Sequence, residues 1–317
     1  SFTLDFNIDT YTSASSDKID PLTVSSASKS DKHIYPSISW SVNDPVVGFT
    51  QGLSYSYSTE YDYKSHGINA FITKLSKDKN TEISVKAGAF FDKYMCILPS
   101  ELRPYFYPSG AERDQEGIDY KPRNTFNASI SISQVINQRL QVMAMIEPSF
   151  QEGLLSTPFH RVFFTNGNST VEKLPGTRYK LPIGLRLSYF AGDKTVIRAF
   201  YRGYVDDWGM TAHTANVEVP YKITPFFSVS PFYRFNVQSA VRYFKPYALH
   251  TTTESFYTSD YDISSFTSQF MGVGLRIATP GGILGMINWN SLELRYGYYS
   301  RSNGMVGHSI SAHIKIK

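Results

Sequence analysis

Apolar and polar side chains that alternate at every second residue can satisfy only an extended strand lying between two unlike environments, because successive side chains of a strand point to opposite faces. This sequence is filled with such alternation. Phe227, Val229, Pro231, Tyr233, Phe235 and Val237 make one face, against Ser228, Ser230, Phe232, Arg234, Asn236 and Gln238 on the other. Phe126, Ala128, Ile130 and Ile132 oppose Asn127, Ser129, Ser131 and Ser133 in the same way, and Leu292, Leu294, Tyr296 and Tyr298 oppose Glu293, Arg295, Gly297 and Tyr299. Near the end, Ile310, Ala312, Ile314 and Ile316 oppose Ser311, His313, Lys315 and Lys317.

Extended along the chain, the pattern predicts about fourteen strands near 1–12, 34–43, 50–63, 66–76, 80–92, 123–134, 138–151, 180–191, 195–208, 211–223, 227–240, 266–278, 290–301 and 308–317. Most have the length of about 9–11 residues, or slightly more, that crosses an outer membrane. The connections at 43–45, 77–79, 137, 192–194 and 224–225 are short, and all follow even strands. Those near 13–33, 93–122, 152–179 and 241–265 are long and follow odd strands, while 279–289 is longer than its parity predicts. Segregated long and short ends are the habit of bacterial outer-membrane barrels, with short periplasmic turns and long outer loops. A soluble β-sandwich would also bury one face. Composition favours the barrel: charged residues are 18% of the chain against about 25% in soluble proteins, and aromatics reach 15%. Trp208 and Trp289 fall at opposite strand ends, where interfacial aromatic girdles lie. The expectation is an all-β, transmembrane antiparallel β-barrel of about fourteen strands, one domain over 1–317, with both termini periplasmic and long outer loops. The start at Ser1 without Met reads as a processed chain.

Particular phrases resemble those of a family. Ser133-Gln134-Val135-Ile136-Asn137-Gln138-Arg139-Leu140-Gln141, Lys180-Leu181-Pro182-Ile183-Gly184-Leu185-Arg186-Leu187, Tyr257-Thr258-Ser259-Asp260-Tyr261-Asp262 and Ser291-Leu292-Glu293-Leu294-Arg295-Tyr296-Gly297-Tyr298-Tyr299 are similar to an outer-membrane barrel family of unknown function from Bacteroidota-type Gram-negative bacteria. The resemblance runs from about Gln51 to the C-terminus. It implies genes for a small lipoprotein, a thioredoxin-like protein and a flavin transferase as neighbours, and hence an envelope redox module. The terminal Lys317 departs from the aromatic with which many such barrels end.

A barrel displays its chemistry on the lumen wall. The inward positions of the later strands carry Arg186, Arg198, Arg202, Arg234, Arg276, Arg295 and Arg301, with Asp206, Glu218 and Glu293 as partners. Those of the earlier strands carry Asp5, Asp9, Glu60, Asp62, Glu82, Asp92 and Glu147, with Lys64 and Lys86. Opposed basic and acidic walls put a transverse field across an aqueous path. The same residues also suit salt-bridged ladders that fill the lumen, Arg295 with Glu293 and Arg202 with Glu218. Inward Phe200, Phe232, Phe270, Met143 and Met145 are expected to narrow the path. The loop from Lys93 to Pro122 is too apolar for free solvation, so Tyr105, Phe106 and Tyr107 are expected to cover the mouth or dock a partner. Phe163 and Phe164 give the next long loop the same character.

Asp206, Asp207 and His213 flank a hairpin tip, but no facing acidic pair completes a membrane protease. The seven His residues show no metal-ligand spacing, and Cys96 stands alone, so neither a cofactor nor a metal is expected. The 31 basic and 27 acidic residues form no basic run for nucleic acid. The functional expectation is a non-enzymatic barrel, located in the bacterial outer membrane, that acts as scaffold or partly occluded conduit in an envelope complex. Its partners would be outer-membrane lipids and a small lipoprotein or other envelope proteins. A stand-alone porin, a hydrophobic-compound transporter and a protease are the rival readings.

Overall fold

The computed structural model describes residues 1–12, 30–60, 62–96, 120–158, 160–283, 285–286 and 288–316. Its strands are β1 (Phe2–Asp5), β2 (Ile8–Thr12), β3 (Ser30–Ile34), β4 (Ser37–Asp44), β5 (Phe49–Thr59), β6 (Tyr63–Leu75), β7 (Thr81–Met95), β8 (Tyr120–Asn137), β9 (Leu140–Ile146) and β10 (Ser149–Gly153). There follow β11 (Arg161–Phe163), β12 (Ser169–Val171), β13 (Thr177–Ala191), β14 (Thr195–Asp206), β15 (Thr211–Glu218), β16 (Tyr221–Thr224), β17 (Phe227–Gln238), β18 (Phe266–Ile277), β19 (Trp289–Arg301) and β20 (Val306–Ile316). Eighteen of these form a single sheet, and β11 and β12 pair apart from it.

The eighteen strands make fourteen crossings, because four crossings are each interrupted for two residues: Phe6 and Asn7, Tyr35 and Pro36, Glu147 and Pro148, Val219 and Pro220. Three of the four interruptions hold a proline, which has no N–H to give the ladder. The proline carbonyls still accept from the neighbouring crossing. Tyr57 N–H reaches Pro36 O at 3.1 Å, Ala128 N–H reaches Pro148 O at 3.0 Å and Val196 N–H reaches Pro220 O at 3.0 Å. Each crossing pairs antiparallel with the next in sequence, a meander from β1 and β2 to β20. Connections at 45–48, 76–80, 138–139, 192–194 and 225–226 lie at one end of the sheet, together with the longer 278–288. Those at 154–176 and 239–265 lie at the other.

One face is apolar and yet open. Ile38, Leu53, Ile68, Ile83, Ile130, Ile183, Val217, Leu275 and Leu294 are among its exposed side chains. An apolar face of this extent needs a nonaqueous surrounding, since soluble monomers rarely expose patches beyond a few hundred Å². Towards the long-connection end this face turns amphipathic. Three Tyr–His pairs repeat there across neighbouring strands: Tyr55 hydroxyl to His66 Nδ1 at 2.8 Å, Tyr201 to His213 at 2.6 Å, and Tyr296 to His308 at 2.8 Å. Rings with an apolar body and a polar tip suit a membrane boundary.

The compact apolar core sits outside the sheet, where the long connections meet the hairpin tip at 207–210. Leu174, Trp208, Met210 and Val241 are buried together, with Leu155, Tyr204, Tyr243, Phe244 and Ile263 packed against them. Trp208 is therefore not a girdle residue. It is 3% exposed, donates from Nε1 to Thr177 O at 2.9 Å and carries Arg178 4.3 Å above its ring. Connections 154–176 and 239–265 dock on each other through bridges between Phe164 and His250 and between Lys173 and Tyr257. Phe164 stacks edge-on against Tyr257 at 5.2 Å, and Phe163 meets Tyr247 at 5.0 Å. The apolar content of this loop is thus used against its neighbour, as a folded cap.

Candidate functional site

Directly opposed residues of an antiparallel pair share a face, so the register assigns the polar wall. Gly184, Arg202 and Thr214 stand in line, as do Ser188, Arg198, Glu218 and Phe232. Arg234, Phe270 and Tyr299 stand in line, Arg276 lies between Ser228 and Glu293, and Arg295 lies between Gly274 and Ser311. Arg186 opposes Phe200, and Arg301 opposes Ser268. All seven arginines lie opposite the apolar face.

Their partners divide them. Glu218 takes Arg295 at 2.9 Å and Arg198 at 3.9 Å, and Arg295 also reaches Glu293 at 3.2 Å. Arg202 is not the partner of Glu218, because register sets it against Thr214. Arg301 pairs with Asp262 at 2.7 Å and lies 4.2 Å over Phe266. Arg186, Arg202, Arg234 and Arg276 are exposed and have no ion pair among the described residues. Arg186 and Arg234 lean over Phe200 at 5.8 Å and Phe270 at 6.0 Å. Rings on the polar face fold back over wall glycines. The Phe232 ring lies 2.7 Å from where a Cβ of Gly272 would be, and Phe90 stands likewise 2.7 Å from that of Gly67.

The earlier strands carry the acidic residues on the same polar face. Asp5 faces Ser37, Asp9 faces His33 and accepts the Tyr35 hydroxyl at 3.0 Å, and Glu60 meets His33 at 3.5 Å. Glu82 opposes Ser133, while Asp92, buried, lies 3.8 Å from Arg123. Asp62 is a buried residue of the connection before β6, and Glu147 sits in the interruption between β9 and β10. Lys64 departs from the expected wall: it alternates with the polar-face Tyr63 and Ser65 and shares the apolar face with His66 and Ile68. Tyr105, Phe106 and Tyr107 lie outside the described residues.

Where the halves meet, a cavity of about 520 Å³ opens among Tyr63, Asp92, Arg123, Arg178, Lys180 and Trp208. Arg123, Arg178 and Lys180 were missed by the sequence reading. Arg178 and Lys180 follow the parity of Gly184 and Arg186; Arg178 escaped because β13 starts at Thr177, ahead of the expected span 180–191, whereas Lys180 lies within that span and its charge was simply not counted. Arg123 was in the parity of Ser129 and Ser131 and required only that its charge be counted. Arg178 pairs with the buried Asp206, which places Asp206 on the polar face while His213 points outward to Tyr201. The hairpin tip therefore brings no Asp–His dyad together.

The cap holds a second polar cluster. Buried Glu172 accepts Thr157 N–H at 2.7 Å and the Thr258 hydroxyl. His160 Nδ1 lies 3.8 Å from Glu172 and 3.9 Å from Asp260, and the Glu172 carboxylate raises its pKa above the ordinary histidine value against the opposing effect of burial. His250 is fully buried, with Nε2 at 2.8 Å from Thr258 O and Nδ1 at 2.7 Å from Glu254. Burial pushes the Glu254 carboxyl up, but Lys245, Thr251 N–H and His250 outweigh it and hold its pKa at about 2. Thr258, Asp260 and Asp262 of the cap all belong to the phrase Tyr257 to Asp262.

Solved structures similar to this fold include the siderophore receptor PirA from Acinetobacter baumannii, at TM-score 0.52 and 10% identity over 90% of this chain and 48% of that one. A variant of the ferric enterobactin receptor PfeA from Pseudomonas aeruginosa gives TM-score 0.51 and 12% identity, over 94% of this chain and 48% of the receptor. The chain spans about half the length of these receptors. The likeness is one of fold, that of outer-membrane β-barrels. Comparison with curated protein sequences gives no match. A family described as protein of unknown function, DUF3570, matches residues 37–312, most of the chain, and the protein belongs to that family.

Proposed function

We propose that this protein is a non-enzymatic barrel of a bacterial outer membrane and works as a capped, partly occluded conduit for small anionic solutes within an envelope assembly. The observation that carries the reading is the set of arginines without ion-pair partners, Arg186, Arg202, Arg234 and Arg276, exposed on a wall that faces away from the apolar surface. Cations held on a low-dielectric wall concentrate anions along a water-filled path. The cap, which adjoins the cavity at Arg178 and Trp208, would restrict entry to small solutes. In planar bilayers the protein is expected to conduct with anion preference that weakens at high salt, as screening shortens the reach of the wall. Replacing Arg202 and Arg276 by Ala should reduce the preference several-fold with little loss of folded barrel. Absence of conductance, or selectivity unmoved by both changes, would sink the conduit.

The scaffold reading is favoured by a separate feature: Tyr247 and Leu249 of the cap are 65% and 56% exposed. Aromatic and aliphatic groups presented on a folded loop suit docking by another envelope protein, such as a small lipoprotein. Both roles can belong to one assembly, with the partner seated on the cap of the conduit.

A further inference from the structure

We propose that His160, Glu172 and Asp260 form a binding site for a divalent transition-metal cation of the zinc or manganese class, clamping the two cap loops together. The three side chains come from the two connections that build the cap, and one donor atom of each lies within 4.8 Å of the others. The residues His160 and Glu172 are fixed side by side by Glu172 N–H to His160 O at 2.9 Å, and His160 N–H holds Thr157 O at 3.0 Å. Asp260 arrives from the other loop. Its own N–H binds Thr258 Oγ1 at 3.0 Å and its Oδ1 accepts Asp262 N–H at 2.8 Å, which leaves Oδ2 directed at His160.

Charge and donor type argue for a cation. Glu172 and Asp260 both aim an oxygen at the same imidazole nitrogen, and among the described residues no Lys or Arg forms an ion pair with either carboxylate. Glu172 is 4% exposed, so its charge is poorly met by solvent. A protonated His160 would neutralise one carboxylate and leave the other. A divalent cation neutralises both, and one imidazole nitrogen with two carboxylate oxygens is a donor set that suits zinc or manganese and leaves coordination positions for water. Donors at about 2.1 Å from a tetrahedral metal stand about 3.4 Å apart, so the 3.8 and 3.9 Å to His160 require a contraction of a few tenths of an ångström, and the carboxylate oxygens, which lie within 4.8 Å of one another, close by a larger side-chain rotation. The Thr258 hydroxyl on Glu172 Oε2 and the His250 ring on Thr258 O supply the outer contacts that orient the ligands. Sequence spacing concealed this set because its members lie on separate loops.

The test is calorimetric titration of Zn²⁺, and separately Mn²⁺, into the full chain purified in detergent and stripped with a chelator. One equivalent should bind with a Kd at or below the micromolar range, and His160→Ala, Glu172→Gln and Asp260→Asn should each weaken it at least tenfold. Bound Zn²⁺ should also slow trypsin cleavage after Arg161 and Lys173 in the parent chain and not in the variants. If Glu172→Gln does not fold, as judged by loss of heat-modifiable migration, Asp260→Asn decides, since that side chain is 25% exposed and keeps its shape. Lack of stoichiometric uptake by the parent chain overturns the site. Uptake that His160→Ala and Asp260→Asn leave unchanged overturns it equally, because the cation would then sit on other side chains.

Discussion

The carboxylate of Asp206 gathers groups from separate parts of the chain: Arg178 donates from Nε and Nη2, Tyr204 from its hydroxyl at 2.8 Å and Met210 from its N–H at 2.9 Å. Its side chain is 0% exposed and that of Arg178 12%. A buried ion pair contributes little net stability, yet removing one member strands the other charge, at a cost of about 3–5 kcal/mol. Asp206→Ala should therefore loosen the cap by that order, read as faster hydrogen exchange at Met210 and Val241. Joint replacement with Arg178→Met should recover most of it. A double variant no better than the single would mean that the hydrogen bonds to Met210 and Tyr204, not the stranded arginine, carry the loss. The sequence showed Asp206 as a partner of inward arginines but not which one, because Arg178 lay outside the strand as read. Trp208 failed for a related reason: position at a strand end suggests a lipid boundary, whereas its burial comes from Leu174 and Val241, far away in sequence.

At the level of strands the alternation was legible because an apolar face and a polar face impose opposite demands at every step. The fourteen crossings and the segregation of long from short connections followed from it. The interruptions at Pro36, Pro148 and Pro220 were visible as residues but not as breaks, since the carbonyl side of the ladder runs through them. Lys64 was misplaced for want of register: Tyr63 and Ser65, not Lys64, continue the polar face. The same logic makes a test of facing. Ile130 is 45% exposed on the apolar face, while Ser131 lies between Ser84 and Met145 on the other. Arginine near a bilayer midplane costs about 2–4 kcal/mol on the lipid side and much less inside. Ile130→Arg should lower the yield of heat-modifiable barrel far more than Ser131→Arg. Equal yields would show that the two faces are reversed or that neither meets lipid.

Across the whole molecule, charge sign and loop packing act on the same path. The acidic wall residues all precede β10 and the arginines without ion pairs begin within β13, so the meander itself carries the two signs to different parts of one wall; that separation was readable from order along the chain. The cap was readable only as an apolar excess around Phe163 and Phe164, because its partner loop at 239–265 had no period to announce a contact. Its two loops hold each other: Phe164 bridges His250, Lys173 bridges Tyr257, and Thr258 donates to Glu172. Interlocked contacts of this kind are lost together when one side is removed, since each buried polar group would be left without its partner. Replacing 239–265 by a short turn should thus also release 154–176, seen as rapid tryptic cleavage after Arg161 and Lys173. The strands below pair through their own ladders and should still give a heat-modifiable barrel. With both loops freed, single-channel conductance should rise several-fold while anion preference persists, because the arginines belong to the wall. Unchanged conductance after release of the loops would place the constriction in the wall itself, at Phe200, Phe232 and Phe270, and would leave the cap as a docking platform alone.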